Sequence, residues 1–211
     1  SMTPFPMFDP QEMLRPDLMA DPESKHAFQQ QLGEVIAEAE TVKMPYDESW
    51  RRESDIPGYT GDGYVRSLRK QEGAPEKGVL TFRTKLGSSG WWSIAVRHRR
   101  DHYLSNRESD FWLRVGGGPW MVCRSDTTLS VGSWGWPVVV DHPERGTILL
   151  SDLSFEFRLQ SKASPYGKNN PTISIAPRSP NFKVDRVVLY QSDRKSRALD
   201  PFAPQSEYHP W

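Results

Sequence analysis

The sequence predicts an all-β protein, an antiparallel jelly-roll β-sandwich with a short N-terminal helical or extended appendage. Three observations support this class. Apolar and polar residues alternate in about ten short segments, which is the period of half-buried strands. Turn-forming Gly, Pro, Asn and Asp residues separate these segments. No long amphipathic helix interrupts residues 36–191, and this disfavours α/β folds.

The strand predictions depend on side chains that repeat at every second position. Leu80, Phe82 and Leu86 are spaced in this way, so they share one face of a strand. The same alternation occurs in residues 92–98, 110–115, 153–160 and 173–175. The glycine-rich residues 116–119 separate two of these segments and predict a turn. A jelly roll suits this number of short strands.

The segments outside residues 35–191 have a different character. Residues 1–34 begin with a Pro-rich, extended stretch and end in a helix predicted over residues 22–33. An Asp-Pro pair starts that helix and Gly33 lies at its end. Residues 192–211 are polar and then Pro-rich, which is typical of a linker or a peripheral strap. The sandwich itself is therefore predicted over residues 35–191.

Composition excludes some classes of function. Lys and Arg together number 27, as do Asp and Glu, so no basic field favours a nucleic-acid partner. No apolar run approaches the roughly 20 residues of a membrane span. The single cysteine, Cys123, forms no intrachain disulfide and is expected to be a buried strand residue. Eight Trp residues exceed the need of one small core, which predicts that some are displayed at the surface.

Four short motifs occur in a fixed order along the chain: Glu38-Ala39-Glu40, the glycine-rich residues 58–65, Trp134-Gly135-Trp136 and Val184-Asp185-Arg186-Val187. In this order and approximate spacing they resemble carbohydrate-binding modules of families six and thirty-five. The resemblance covers residues 36–191 and implies a calcium-containing, galactose-binding-like jelly roll. Residues 97–120 are longer and more charged than in such modules, and residues 1–35 have no counterpart.

The resemblance implies a structural calcium ion held by Glu38, Glu40 and Asp185. The residue types agree with this, because Ca²⁺ is bound by oxygen ligands and carboxylates from neighbouring strands can supply them. Glu38 and Glu40 are two positions apart, so both point to one face of a strand and repel unless a cation neutralises them. The alternative is a solvated acidic edge.

The resemblance also implies a sugar site at one end of the sandwich, with Tyr59, Trp134 and Asn181 as ligand-binding residues. Sugar recognition needs an aromatic platform for the C–H face of the ring and planar polar groups for the hydroxyls. Trp136 is the second tryptophan of its motif and is assigned either to this site or to the core. The alternative for each residue is a packed loop aromatic or a turn asparagine.

Because of its arginine residues, the chain is also expected to bind anionic glycans. Arg178 shares the loop of Asn181, and a guanidinium binds a carboxylate or a sulfate through two hydrogen bonds. Arginines also cluster in residues 97–100. The alternative is that the acidic residues Asp101, Glu108 and Asp110 neutralise these arginines on a solvated face.

The sequence thus predicts a non-catalytic, lectin-like carbohydrate-binding module for a polysaccharide, including uronic-acid or sulfated ones. Such a module is expected to be part of a larger carbohydrate-active protein, attached to a glycoside hydrolase or lyase, and to be secreted or periplasmic. One alternative is a small polysaccharide lyase, because residues 97–103 combine Arg, His and Tyr, the residue types of its base and its cation. The other is a structural or protein-binding β-sandwich.

Overall fold

The computed structural model describes residues 26–87, 89–104, 107–152, 154–161 and 171–210. These residues form two packed β-sheets, which confirms the all-β sandwich class. The strands are, in chain order, β1 (His26–Gln29), β2 (Glu34–Glu38), β3 (Trp50–Glu53), β4 (Tyr64–Ser67), β5 (Leu80–Lys85), β6 (Gly90–Arg100), β7 (Asp110–Val115), β8 (Met121–Ser125), β9 (Ser133–Gly135), β10 (Val138–His142), β11 (Gly146–Leu149), β12 (Phe157–Leu159), β13 (Thr172–Pro177), β14 (Lys183–Tyr190) and β15 (Tyr208–Pro210). Short helices are the 3-10 turns Ala39–Thr41 and Ser192–Arg194 and the α-helix α1 (Lys195–Ala198).

The two sheets are built almost entirely from antiparallel pairs. One sheet has eight described strands in the order β11-β10-β8-β7-β13-β5-β1-β15. The other has seven, along the path β12-β6-β14-β4-β3, with β2 beside β14 and β9 beside β6. Among the described strands, β1 and β5 form the one parallel pair. Strand β14 lies in the middle of its sheet, between β6 on one side and β2 and β4 on the other.

The main hydrophobic core lies between the sheets and follows the predicted alternation. Val187 and Leu189 of β14 belong to this core, whereas Val188 and Tyr190 belong to a second cluster on the opposite face of the same sheet. The eight-stranded sheet supplies core residues that are at most 1% exposed: Leu80, Phe82, Phe111, Leu113, Ile173 and Ile175. Cys123 is buried in the core, as the sequence predicts, and burial raises the pKa of its thiol.

The predicted helix over residues 22–33 is wrong where the structure describes it, from residue 26 onward. His26–Gln29 is strand β1, which pairs with β5 and β15. Phe28 is fully buried and its ring stacks on Tyr208 with 4.6 Å between centroids. Pairing and burial against two neighbouring strands therefore override the local helix signal. Leu32 and Gly33 have positive φ values of 48° and 81°, and they form the turn into β2.

The tail after β14 is a strap on the sandwich. Ser206 forms two hydrogen bonds to the backbone of Ile36, one of 2.8 Å through its hydroxyl and one of 2.9 Å through its N–H. Strand β15 then pairs with β1, so both ends of the described chain meet at one sheet edge. Ala198 and Ala203 cover the second hydrophobic cluster. This tail therefore contributes to the packing of the sandwich.

A strand predicted over residues 153–160 is shorter in the structure, where only Phe157–Leu159 is extended and paired. The preceding residues turn, since the N–H of Phe155 donates to the carbonyl of Asp152 at 2.9 Å. Among the described residues, no helix has the length and the apolar composition required to cross a bilayer.

Candidate functional site

A β-bulge in β14 brings two consecutive charged side chains to one place. The pairing of β14 with β6 shifts register between Val184 and Arg186, which leaves Asp185 at the bulge. Asp185 reaches the loop that precedes β4, and Arg186 reaches the end of β2. Glu38, which pairs with Arg186 across the strands, lies in the same cluster. A regular strand would have sent the two side chains to opposite faces.

The carboxylate cluster consists of Glu38, Glu40 and Asp185, and the loop residue Thr60 joins two of its members. The Thr60 hydroxyl lies 2.8 Å from Oε2 of Glu38 and 3.0 Å from Oδ2 of Asp185. The Thr60 N–H donates to Oδ1 of Asp185 at 2.9 Å. A hydroxyl carries one proton, so it donates to only one of the two carboxylates at a time. Burial raises the pKa of both Glu38 and Asp185.

Two arginines neutralise part of this cluster. Arg186 donates to Oε1 of Glu38 through Nη2 and, at 3.0 Å, through Nε, and both side chains are at most 4% exposed. Arg97 donates from Nη1 to Oδ2 of Asp185 at 2.6 Å. The sequence motif identified Asp185 but not Arg186 as functional, because the bulge that brings the guanidinium beside Glu38 leaves no mark in residue spacing.

Glu40 differs from the other two carboxylates because no arginine pairs with it in the described structure. Its Oε1 accepts the N–H of Asp62 at 2.9 Å, whereas its Oε2 is buried and has no hydrogen-bond partner. Burial, followed by repulsion from Glu38 and Asp185, raises the pKa of Glu40 to about 8. Gly61 lies against this carboxylate with a φ of 62°, and a Cβ at this position would collide with Glu40.

The cluster has the chemistry of a site for a hard cation. All its side-chain ligands are oxygens, and the unpartnered Oε2 of Glu40 is the kind of atom that a calcium ion would satisfy. Within the part of the chain that is described, however, no three acidic, His or Cys side chains surround one point as ligands surround an ion. The Thr60 hydroxyl bridges Glu38 and Asp185, and Arg97 already pairs with Asp185, so a cation would compete with these contacts.

The predicted residues Tyr59 and Trp134 lie together and, with Tyr64, form an aromatic platform. The ring of Trp134 meets Tyr64 edge-on at 5.2 Å between centroids, and Tyr59 lies 5.9 Å from Tyr64. Tyr64 is buried beneath, whereas Tyr59 and Trp134 are partly exposed. Trp134 donates from Nε1 to the carbonyl of Pro57 at 3.0 Å, and a Cβ on Gly58 would come within 2.6 Å of its ring. The glycine-rich loop is therefore shaped to receive this indole.

Planar cations border the platform. The guanidinium groups of Arg97 and Arg99 lie 5.9 and 5.8 Å from the centre of the Trp134 ring. Asp101 binds Arg99 at 2.6 Å and Lys183 at 2.6 Å. Asp101 neutralises Arg99, as the alternative interpretation of the sequence expects, whereas Arg97 pairs with Asp185. Both guanidinium groups also lie against an aromatic surface.

Asn181 lies beside the platform without contacting it. Its Oδ1 accepts from Arg66 at 2.9 Å, and its Nδ2 donates to Glu108 at 3.3 Å. Arg66 in turn binds Glu53 at 2.7 Å, and the hydroxyl of Tyr64, which donates to Asp55 at 2.5 Å, lies 3.3 Å from Glu53. Asn181 is thus connected to the platform through side chains and already uses both ends of its amide.

Arg178 lies in a separate loop cleft of about 630 Å³. The cleft is lined by charged and polar residues that include Lys70, His102, Arg107 and Arg178, and its lining does not include Tyr59 or Trp134. Arg178 pairs with the buried Asp110 and lies 5.6 Å above the ring centre of Trp112. The structure therefore separates Arg178 from the platform to which the sequence assigns it.

Trp136 belongs to the second hydrophobic cluster and is only partly exposed. It packs against a group that includes Ile36, Ala95 and Val188. Of the two roles left open by the sequence, its packing supports the core role.

Comparison with known proteins finds similarity in structure but not in sequence. No protein-family model matches the chain, and no curated protein matches it. A family thirty-five carbohydrate-binding module from Clostridium thermocellum has a TM-score of 0.48 and 16% identity, over 75% of this chain and 98% of that one. A family thirty-five module from Cellvibrio japonicus has a TM-score of 0.49 and 12% identity, over 75% and 93%.

A third similar structure is a β-(1,4)-mannanase of Podospora anserina that includes a family thirty-five module, with a TM-score of 0.49 and 17% identity. The match covers 77% of this chain and only 28% of the mannanase chain. Family thirty-five, one of the two families that the sequence motifs resemble, is thus found again among solved structures. The fold class itself is established by the strands and registers of this chain.

Proposed function

We propose that this chain is a non-catalytic carbohydrate-binding module that stacks a sugar ring on its aromatic platform. The observation that carries the proposal is the platform itself, in which Tyr59 and Trp134 are partly exposed above the buried Tyr64. Aromatic rings bind the C–H face of a sugar, and the neighbouring guanidinium groups of Arg97 and Arg99 are planar donors for hydroxyl oxygens.

Anionic polysaccharides are the ligand class that we propose for the loop cleft. Arg178 presents a guanidinium there that is 26% exposed, and Lys70 and Arg107 line the same space, together with the acidic residues Glu72, Glu108 and Asp110. A uronate carboxylate or a sulfate can accept two hydrogen bonds from such a group. On the sequence motifs we further propose that the module is secreted and attached to a glycoside hydrolase or lyase.

The lyase alternative retains one supporting observation. His102 lines the loop cleft with Arg178, and its ring stacks on Tyr103 at 4.7 Å. His98, in contrast, is fully buried and contacts Ser125 Oγ at 2.8 Å, so it cannot reach a substrate. Product release from a polysaccharide panel, measured beside binding to the same panel, separates a lyase from a binding module.

Trp134→Ala is expected to weaken glycan binding by about 2 kcal/mol, as for an aromatic anchor at the centre of an interface. Isothermal titration against the best ligand of a broad plant, algal and bacterial panel measures this change. Because Trp134 also supports the loop through Pro57, the melting temperature is measured in parallel, and Trp134→Phe keeps a ring there.

Trp120→Ala is the matched control for that substitution. Trp120 is also partly exposed and lies under an arginine, with Arg114 at 5.0 Å from its ring centre, but it is outside the platform. We expect Trp120→Ala to bind glycan with the affinity of wild type. Trp136→Ala, in contrast, is expected to lower the stability of the fold. Unchanged affinity in Trp134→Ala, or no binding to any glycan of the panel, contradicts the proposal.

We propose further that one structural calcium ion binds at the carboxylate cluster, held by Glu38, Glu40 and Asp185. Bound there, the ion would offset the charge of three neighbouring carboxylates. In its absence the raised pKa of Glu40 means that the native state keeps a proton which the unfolded state loses between about 4.5 and 8. Metal-free stability therefore decreases as pH rises through this window.

Calcium is expected to raise the melting temperature, and to do so more at about pH 8 than at about pH 5, because Glu40 must lose its proton to bind the ion. At a hundredfold excess over the dissociation constant the gain is about 2.7 kcal/mol, and EDTA reverses it. Glu40→Gln keeps the shape of the side chain, so it should fold in EDTA and lose the calcium response. A wild-type melting curve that calcium does not change at either pH excludes the ion.

A further inference from the structure

A second aromatic side chain, on the C-terminal tail, lines a groove beside the glycine-rich loop. Phe202 is 92% exposed, the largest exposed fraction among the large apolar side chains that the structure describes. It lines a groove of about 570 Å³ between residues 58–62 and residues 201–205, which we call the tail groove. Tyr59 lines the same groove from the loop.

The tail holds Phe202 in this position by contacts on both sides of it. The N–H of Phe202 donates to Oδ1 of Asp200 at 2.9 Å, and the next residue, Ala203, is buried in the second hydrophobic cluster. Two residues later Gln205 accepts from the N–H of Glu38 at 2.8 Å and from the hydroxyl of Thr41 at 3.0 Å. The backbone that carries Phe202 is therefore anchored to the sandwich on its C-terminal side.

The tail groove has polar sides as well as aromatic ones, which decides the kind of occupant. Arg97 and Gln205 line it and are partly exposed, and Asp62 lines it and is exposed. Glu38 and Arg186 also line it, but they are buried and already paired with each other. A wholly apolar ligand would cover the exposed polar groups without giving them partners. A sugar ring has both parts that the groove requires, C–H faces for aromatic rings and hydroxyls that donate and accept hydrogen bonds.

We propose that the tail groove binds a second sugar unit of the glycan, with Phe202 and Tyr59 as its aromatic walls. This inference rests on the proposed carbohydrate-binding function and extends its site. Gly58 and Arg97 line the groove and also contact Trp134 of the platform, so the two binding surfaces adjoin. One oligosaccharide can therefore occupy both, and the tail makes the module prefer oligosaccharides to single sugars.

Phe202→Ala tests this with matched monosaccharides and tetrasaccharides of the uronate, mannan, xylan and galactan series. We expect tetrasaccharide affinity to fall about tenfold and monosaccharide affinity to stay as in wild type, because the single sugar binds at the platform. The side chain is 92% exposed, so the melting temperature should not change. Phe202→Trp should retain the preference for the tetrasaccharide, and Phe202→Leu, which is apolar but not planar, should lose it.

Tyr46→Ala is the control, since Tyr46 is 85% exposed and lies outside the groove. A Phe202→Ala variant that binds the tetrasaccharide as tightly as wild type overturns this inference and leaves the proposed function standing. Equal binding by Phe202→Leu and wild type also overturns it. If the wild-type protein binds no member of the series, both the proposed function and this inference are overturned. If Tyr46→Ala loses tetrasaccharide affinity as Phe202→Ala does, the effect is nonspecific and contradicts the assignment of the groove.

Discussion

Arg186→Met is expected to lower the free energy of unfolding by about 3–5 kcal/mol, because it leaves the buried carboxylate of Glu38 without its partner. The two side chains are 3% and 4% exposed, so water cannot replace the guanidinium. Chemical denaturation in EDTA measures the loss without any contribution from calcium. We expect a smaller loss at about pH 4, where the unpaired Glu38 is protonated and carries no charge.

Two further variants show whether burial of an unpaired charge is the cause. The double variant Glu38→Gln/Arg186→Met removes both charges and should recover part of the lost stability. Arg124→Met breaks the ion pair with Asp141, whose side chains are 28% and 44% exposed, and should cost less than about 1 kcal/mol. A loss in Arg186→Met no larger than that in Arg124→Met would show that the cluster contributes no more than a surface ion pair.

Acidification should destabilise the protein through His98 by about 2 kcal/mol at about pH 5 and about 3 kcal/mol once the pH is below 4. Burial lowers the pKa of His98 from 6.5 to about 4. Between these values the unfolded chain binds a proton that the native state does not, so stability decreases as pH falls through this window. Above it, both states are neutral and the contribution is absent.

The test compares wild type with His98→Gln by denaturant unfolding across this pH range. Glu38, Glu40 and Asp185 have raised pKa values, so they make the native state more stable as pH falls, opposite to His98. Both proteins contain these carboxylates, so the difference between their free energies of unfolding reports on His98. That difference should shrink as pH falls from about 6.5 to about 4. A constant difference would mean that His98 titrates alike in both states.

Local patterns were sufficient for the fold class and for part of the candidate site. Alternation in residues 80–86 places Leu80 and Phe82 in the core because a strand has only two faces, and one is buried. The prediction that Glu38 and Glu40 share one face of a strand is wrong, because β2 ends at Glu38 and Glu40 lies in the following 3-10 turn, yet both carboxylates still lie beside Asp185. The calcium ion and the sugar contacts of Tyr59, Trp134 and Asn181 remain predictions.

Tertiary pairing decided what local patterns could not. The helix expected over residues 22–33 fails because β1 finds partners in β5 and β15, far away in sequence. Arg178 lies apart from Trp134 because it pairs with the buried Asp110 of β7 and lines a different cleft. Local helix propensity and loop assignment do not predict which strand, distant in sequence, a segment will pair with.

The sequence by itself determined the sandwich and its period-two core, and its motifs named three carboxylates and two aromatic residues that the structure brings near one another. Only the tertiary structure decided that Arg186 neutralises Glu38, that Trp136 packs against a second hydrophobic cluster, and that Phe202 and Tyr59 line one groove. The physical reason is distance along the chain. Periodicity reports which face a residue occupies, whereas a bulge in β14 and a tail that returns to β2 determine which faces meet.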